Sequence, residues 1–122
     1  MHAGPLIPVS DLNRSRGFYE DQLGGKGRET PGGWQVDFAE GTCLYLLQVD
    51  EDAGSASWPL VSFRVADVRA RTRELKDRGV TFLGSGEVPF DLDDDGVKSD
   101  DNMQVSWLTD PDGNVLTLFR TS

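Results

Sequence analysis

The sequence predicts an α+β fold: two βαβββ modules side by side, forming a curved, half-open, eight-stranded mixed sheet with helices on its outer face. Three observations predict it. The pattern Val-x-Asp occurs at Val9-Ser10-Asp11 and again, 56 residues later, at Val65-Ala66-Asp67. Each copy closes a short alternating apolar segment and opens a stretch of helical periodicity. Each helical stretch stops at glycine, Gly24-Gly25 in one case and Gly79 in the other, and further alternating segments follow.

In the first half, Pro5, Ile7 and Val9 share one side of an expected strand. Leu12, Phe18, Tyr19 and Leu23 then recur at helical spacing, so a helix is expected from about residue 13 to 23, capped by Ser10 or Asp11. A short strand near 26–30, Gln35-Val36-Asp37-Phe38 and Leu44-Tyr45-Leu46 complete the module. In the second half, Val61, Phe63 and Val65 alternate, and Val68, Thr72 and Leu75 lie on one helical face. A strand near 79–83, Gln104-Val105-Ser106-Trp107 and Leu116-Thr117-Leu118 follow, the last two joined by the turn Asp110-Pro111-Asp112-Gly113-Asn114.

The hydrophilic stretch of residues 50–57 reads as a linker between module one (1–54) and module two (58–122). Half of such a chain has too little core to stand alone, so one domain over residues 1–122 is expected. The two sheets are expected to join edge to edge, with the helices outside and a ligand-sized cleft on the inner face.

Charge narrows the partners. Twelve basic against twenty-one acidic residues give a formal net charge of −9, which repels nucleic-acid phosphates and anionic membranes. No apolar run is long enough for a signal peptide or a membrane span, and a single cysteine, Cys43, offers no internal disulfide. A cytoplasmic location is expected. Cys43 reads as a small hydrophobe in a strand. The only histidine, His2, is terminal, so no Ser-His-Asp or Cys-His arrangement is available within the body of the fold.

Three segments carry a family resemblance: Ile7 to Gly24 (IPVSDLNRSRGFYEDQLG), the FRVADV that begins at Phe63, and Trp107 to Phe119 (WLTDPDGNVLTLF). Together they resemble the vicinal oxygen chelate superfamily, which unites glyoxalases, bleomycin resistance proteins and dioxygenases. The resemblance implies the paired-module fold. It leaves activity open, since the members include lyases, isomerases, ring-cleaving dioxygenases, thiol transferases and drug-sequestering proteins. It also implies where metal ligands belong, on the first and last strand of each module. Carried onto this chain by motif, those positions are Gly4, Tyr45, Leu60 and Thr117. None is His, Glu or Asp, and such a set does not hold a catalytic divalent ion. His2, two residues before Gly4, is the one rescue, so no metal, cofactor or catalytic residue is assigned.

Period-two alternation from those positions predicts a largely apolar inner face with a few hydroxyls. Its candidate ligand-binding residues are Leu6, Tyr45, Leu47, Leu60, Ser62, Arg64, Trp107, Thr117 and Phe119. The run Asp91 to Asn102 opens like a calcium loop, but Asn102 stands where the bidentate Glu belongs, so it reads as a solvated acidic loop. Overhanging the cleft mouth, it would attract a cationic guest. The expected function is metal-independent sequestration of a bulky organic compound, a cationic one being favoured electrostatically, by a homodimer. The alternative is a superfamily enzyme with a non-standard metal site, such as a lactoylglutathione lyase-like lyase, an isomerase or a dioxygenase. A third reading is a regulatory or interaction domain.

Overall fold

The computed structural model describes residues 3–121. The first half of the chain forms β1 (Leu6–Val9), α1 (Leu12–Arg16) continued by a π-helical segment (Gly17–Gln22), β2 (Lys26–Thr30), β3 (Gly33–Asp37) and β4 (Cys43–Gln48). The second forms β5 (Val61–Arg64), α2 (Val68–Asp77), β6 (Thr81–Phe82), β7 (Lys98–Ser99), β8 (Met103–Thr109) and β9 (Val115–Thr121). The first sheet has the order β1-β4-β3-β2 and the second β5-β9-β8-β6, with β7 also on β8. In each, the first strand runs parallel to the last, and the remaining pairs are antiparallel.

Both helices start on the aspartate of the repeated pattern. Asp11 accepts the Arg14 N–H at 3.2 Å and Asp67 accepts the Ala70 N–H at 3.0 Å. The first helix departs from the regular helix expected: from Gly17 its turns widen, and the Leu23 N–H bonds the Phe18 carbonyl five residues back at 3.0 Å. Widening reduces the rotation per residue, so the consecutive side chains Phe18 and Tyr19 share the buried face, their rings edge to face at 4.9 Å. They pack on Ile7, Val9, Val36, Leu44 and Leu46 from the outward side of the first sheet. Val68, Thr72 and Leu75 of α2 are buried in the corresponding way, with Leu108, Leu116 and Leu118 also in the core. Each fully buried aliphatic side chain of this kind contributes about 1.5–3 kcal/mol.

Two differences from the expected sheet have physical causes. First, β6 and β7 lie on the same edge of β8, opposite Leu108–Thr109 and Gln104–Val105 respectively. They are two pieces of one edge strand, which raises the strand count from the expected eight to nine among the described residues. Pro89 has no N–H to give a ladder, and Gly84, Gly86 and the aspartates from Asp91 onward weaken one, so the chain leaves the ladder after Leu83 and returns at Lys98. Second, the strands divide into two separately bonded sheets instead of pairing across the seam.

Side chains hold the seam. Gln22 Nε2 donates to the Arg78 carbonyl and Arg78 Nη1 donates to the Gln22 carbonyl, both at 2.9 Å. These residues occupy equivalent positions in the two modules, so the contact is reciprocal in the way of a twofold interface. The Asp110 to Asn114 turn is the larger tie. Buried Asp110 accepts the Tyr19 hydroxyl at 2.8 Å, the Asn114 amide at 2.9 Å and the backbone N–H groups of Asp112 and Asn114 at 2.9 Å. Asn114 also donates to the Pro8 carbonyl at 2.9 Å and accepts the Gly54 N–H at 3.0 Å, which docks the linker onto the turn. Asp112 is bonded by the Ser10 hydroxyl and N–H and by Arg14. Ser10 therefore serves the seam while Asp11 alone caps the helix.

Candidate functional site

The register sets which side chains face the concavity. Leu6 lies opposite Tyr45 and Pro8 opposite Leu47 between β1 and β4, while Gln35 lies opposite Tyr45 and Asp37 opposite Cys43 between β3 and β4. Because Leu44 and Leu46 are buried against the helix, this second set faces the other way, inward. The inner wall of the first module is open: Leu6 is 54% exposed and Leu47 40%. Beside them Asp37 accepts Gln35 Nε2 at 2.7 Å and Arg28 Nε at 3.2 Å. A concavity of about 160 Å³ is lined there by Arg28, Gln35, Asp37, Gly41 and Cys43. The neighbouring Cys43 thiol is the main cause that raises the Tyr45 pKa above its ordinary value; desolvation adds to it and Arg28 opposes it.

In the second module Ser62 lies opposite Thr117 and Arg64 opposite Phe119, with Trp107 opposite Thr117 on the next strand. Trp107 and Thr117 at the centre of this wall are buried, whereas Ser62 and Arg64 on its edge strand are exposed. Thr117 is buried and donates to Ser62 Oγ at 2.7 Å, and Arg64 bonds Thr121 at 2.7 Å with its guanidinium 5.6 Å from the centre of the Phe119 ring. Phe90, from the loop between β6 and β7, stacks on Trp107 at 5.6 Å.

Of the nine residues expected from the sequence, Leu6, Tyr45 and Leu47 come together on the inner wall of the first module, and Ser62, Arg64, Trp107, Thr117 and Phe119 on that of the second. Leu60 packs against the main core. Sequence reasoning missed Arg28, Gln35 and Asp37, although Gln35 and Asp37 alternate with buried Val36 and so had to face inward. It also left Phe90 unassigned; an aromatic side chain in an otherwise acidic loop was the available signal.

The donor set can be tested at the positions where the superfamily places metal ligands. Tyr45 and Thr117 supply neutral hydroxyls and Leu60 supplies none. At Gly4 any side chain is excluded, because a Cβ there would stand 2.4 Å from the Cys43 carbonyl oxygen. The backbone of β4 has closed onto the place of a ligand, so this set does not fit a divalent ion. Among the described residues no three His, Cys, Asp or Glu side chains gather as a metal site elsewhere. His2 lies outside the described residues.

The acidic loop does not stand free over the cleft. Asp93 is bonded by Arg69 and by the backbone N–H groups of Asp95 and Val97 at 3.0 Å, and Asp95 is paired with Arg73 at 2.8 Å. Asp93 and Asp95 thus clip the loop to α2, so two of its six aspartates are already paired with arginines of the chain itself.

A search against family models matches residues 2–118 to the Glyoxalase/Bleomycin resistance protein/Dioxygenase superfamily. The chain belongs to that superfamily. Among solved structures it is similar to TnmS3, an antibiotic binding protein from Streptomyces sp. CB03234, at 26% identity and a TM-score of 0.73, covering 100% of this chain and 98% of that one. A glyoxalase/bleomycin resistance protein from the same Streptomyces strain is similar at 25% identity and a TM-score of 0.65, covering 95% of this chain and 98% of its own. A superfamily protein from Alicyclobacillus acidocaldarius shares the fold at 23% identity and a TM-score of 0.72, covering 99% and 91%. No curated protein matches the sequence closely enough to count as a relative. Among the described residues no helix is long and apolar enough to cross a membrane.

Proposed function

We propose that the protein is a metal-independent binding protein that holds a bulky organic compound against its concave face without changing it chemically. One observation carries this reading: the superfamily's metal-ligand positions here hold Gly4, Tyr45, Leu60 and Thr117, and the backbone at Gly4 leaves no room for a ligand side chain. What the face offers is exposed Leu6 and Leu47 beside the Tyr45 hydroxyl, which suits packing and orientation of a guest. Likeness to an antibiotic binding protein at 26% identity supports the same reading.

The net charge of −9 favours a cationic over an anionic guest at long range. A homodimer is part of the proposal, since one chain leaves Leu6, Leu47 and Trp58 exposed and a second copy would close the open wall into a pocket. A cytoplasmic setting is supported by the single free cysteine, Cys43.

The test is titration of tryptophan fluorescence with a panel of bulky aromatic antibiotics, before and after dialysis against a chelator. Saturable binding that survives the chelator, weakens at least about 10-fold in Leu47→Asp and returns the compound unchanged is the expected result. A stoichiometric divalent ion in protein purified without chelator, whose removal abolishes binding, would overturn the proposal. Sedimentation of the protein as a single chain at micromolar concentration would remove the dimer from it.

A further inference from the structure

Phe90 and Trp107 form a stacked pair, their ring centres 5.6 Å apart and their planes 23° from parallel. The Lys98 ammonium lies 5.2 Å from the centre of the Phe90 ring. Phe90 is 43% exposed, while Trp107 beneath it is 8% exposed. The chain has therefore placed one of its own rings where a flat guest would stack, and the outer side of that ring is wet.

The way the loop is tied decides what this ring can do. Ser85 Oγ accepts the Leu92 N–H at 3.0 Å, Glu87 accepts the Gly84 N–H at 2.9 Å, and Ser85 bridges Val88. These bonds close residues 85–92 into a small unit with its own neck. Beyond the neck, Asp93 and Asp95 are clipped to α2 and Val97 is buried in the core. The tip can thus leave Trp107 without breaking either the neck or the clip. Gly86, at φ +93°, has no atom within 4 Å of where a Cβ would stand, so the tip has open space around it.

We propose that Trp107, rimmed by Lys98, is a subsite for a flat aromatic ring of the guest, and that Phe90 is a displaceable plug that fills it in the free protein. This rests on the binding-protein reading and deepens it by naming the guest's class: a compound with a planar aromatic ring system, its ring face suited to the Lys98 cation. The guest replaces the Phe90 stack instead of adding to it, so the free protein's affinity is reduced by the stack that must break. The module-one wall then holds the remainder of the guest.

Acridine is a suitable probe, titrated by tryptophan fluorescence into the wild type, Phe90→Ala, Phe90→Leu and Leu47→Asp, with hydrogen exchange of residues 85–92 followed in the wild type. Phe90→Ala is expected to bind acridine about 2- to 10-fold more tightly, the worth of one aromatic stack, with Phe90→Leu between it and the wild type. Acridine is expected to speed exchange in residues 85–92. Equal or weaker binding by Phe90→Ala overturns the plug, as does slower exchange on binding, which would mean that Phe90 closes over the guest. Weakening by Leu47→Asp with no effect of Phe90→Ala leaves the binding protein standing and removes the plug alone. Absence of saturable binding to the wild type and to Phe90→Ala sinks both.

Discussion

The first module joins β2 to β3 through a tight turn between Thr30 and Gly33, whereas the second breaks the same edge strand with residues 84–97. The inner wall of the first is consequently open and carries Leu6, Tyr45, Leu47 and the Arg28–Asp37–Gln35 group. The inner wall of the second is covered by its own chain at Trp107, on which Phe90 lies, while Ser62 and Arg64 stay exposed. An insertion in an edge strand leaves the ladder beside it intact, so a repeat can keep its topology while its two faces take different occupants. The two modules are alike where they bury core and unlike on their inner faces.

The largest expected effect breaks what the modules share. Asp110→Ala removes a buried carboxylate that accepts four hydrogen bonds, from Tyr19, Asn114 and two backbone N–H groups. A loss of about 3–5 kcal/mol in urea unfolding, still in one transition, is expected. Two transitions, with the second half melting first, would show that the modules fold apart and that the seam does not unite them.

Tyr19→Phe removes one of those bonds and should cost about 1.5–3 kcal/mol. It also has a pH signature. Burial, then the Asp110 charge and its hydrogen bond, hold the Tyr19 phenol far above its ordinary value in the folded chain. A group raised in the folded state contributes stability that is complete below its unfolded value, about 10, and is lost as the pH rises past it. Wild-type stability should therefore fall above about pH 10, and Tyr19→Phe should fall less steeply. Phenolate absorbance sharpens the contrast between the modules' tyrosines. The chain has two, and Tyr45 on the open wall should ionise in the folded protein, later than an ordinary tyrosine, whereas Tyr19 should ionise only on unfolding. Loss of both protons before unfolding would contradict the seam geometry.

The smallest effect concerns the loop that distinguishes the second module. Arg69→Ala removes the side-chain partner of Asp93 and leaves its backbone bonds, and the pair is partly exposed, so less than about 1 kcal/mol is expected, shrinking as salt is added. Burial raises the Asp93 pKa, but the bonds from Arg69 and from the N–H groups of Val97 and Asp95 outweigh it, leaving the carboxyl below its ordinary range. The clip should thus be present above the usual carboxylate pKa and be lost as the pH falls toward the lowered one. Faster amide exchange confined to residues 93–99 would locate the effect; exchange spreading into β3 and β4 would deny that the loop belongs to the second module alone.

Much of this architecture was legible in the sequence because it rests on local periodicity. Val65-Ala66-Asp67 repeats Val9-Ser10-Asp11, and the alternating and helical patterns after each copy placed the strands and helices near where they lie. The inner orientation of Leu6, Tyr45, Leu47, Ser62 and Thr117 followed from the same alternation. Leu60 did not follow, because it precedes β5 and packs into the core before the strand pattern begins. Nor did the widened turn at Gly17, since spacing alone does not distinguish a regular helix from one that rotates to bury adjacent Phe18 and Tyr19.

The sequence by itself determined the repeat, a helix start at each Val-x-Asp copy and, through three segments, the resemblance to the superfamily, since each depends on residue identity at fixed spacing. Only the tertiary structure decided that Asp11 and not Ser10 caps the first helix, that Asp110 ties the modules through Tyr19, that Asp93 and Asp95 bind α2, and that Phe90 covers Trp107. The last three join residues far apart in the chain, and which partner a side chain meets across such a distance is set by the packing of the whole, not by its neighbours in sequence.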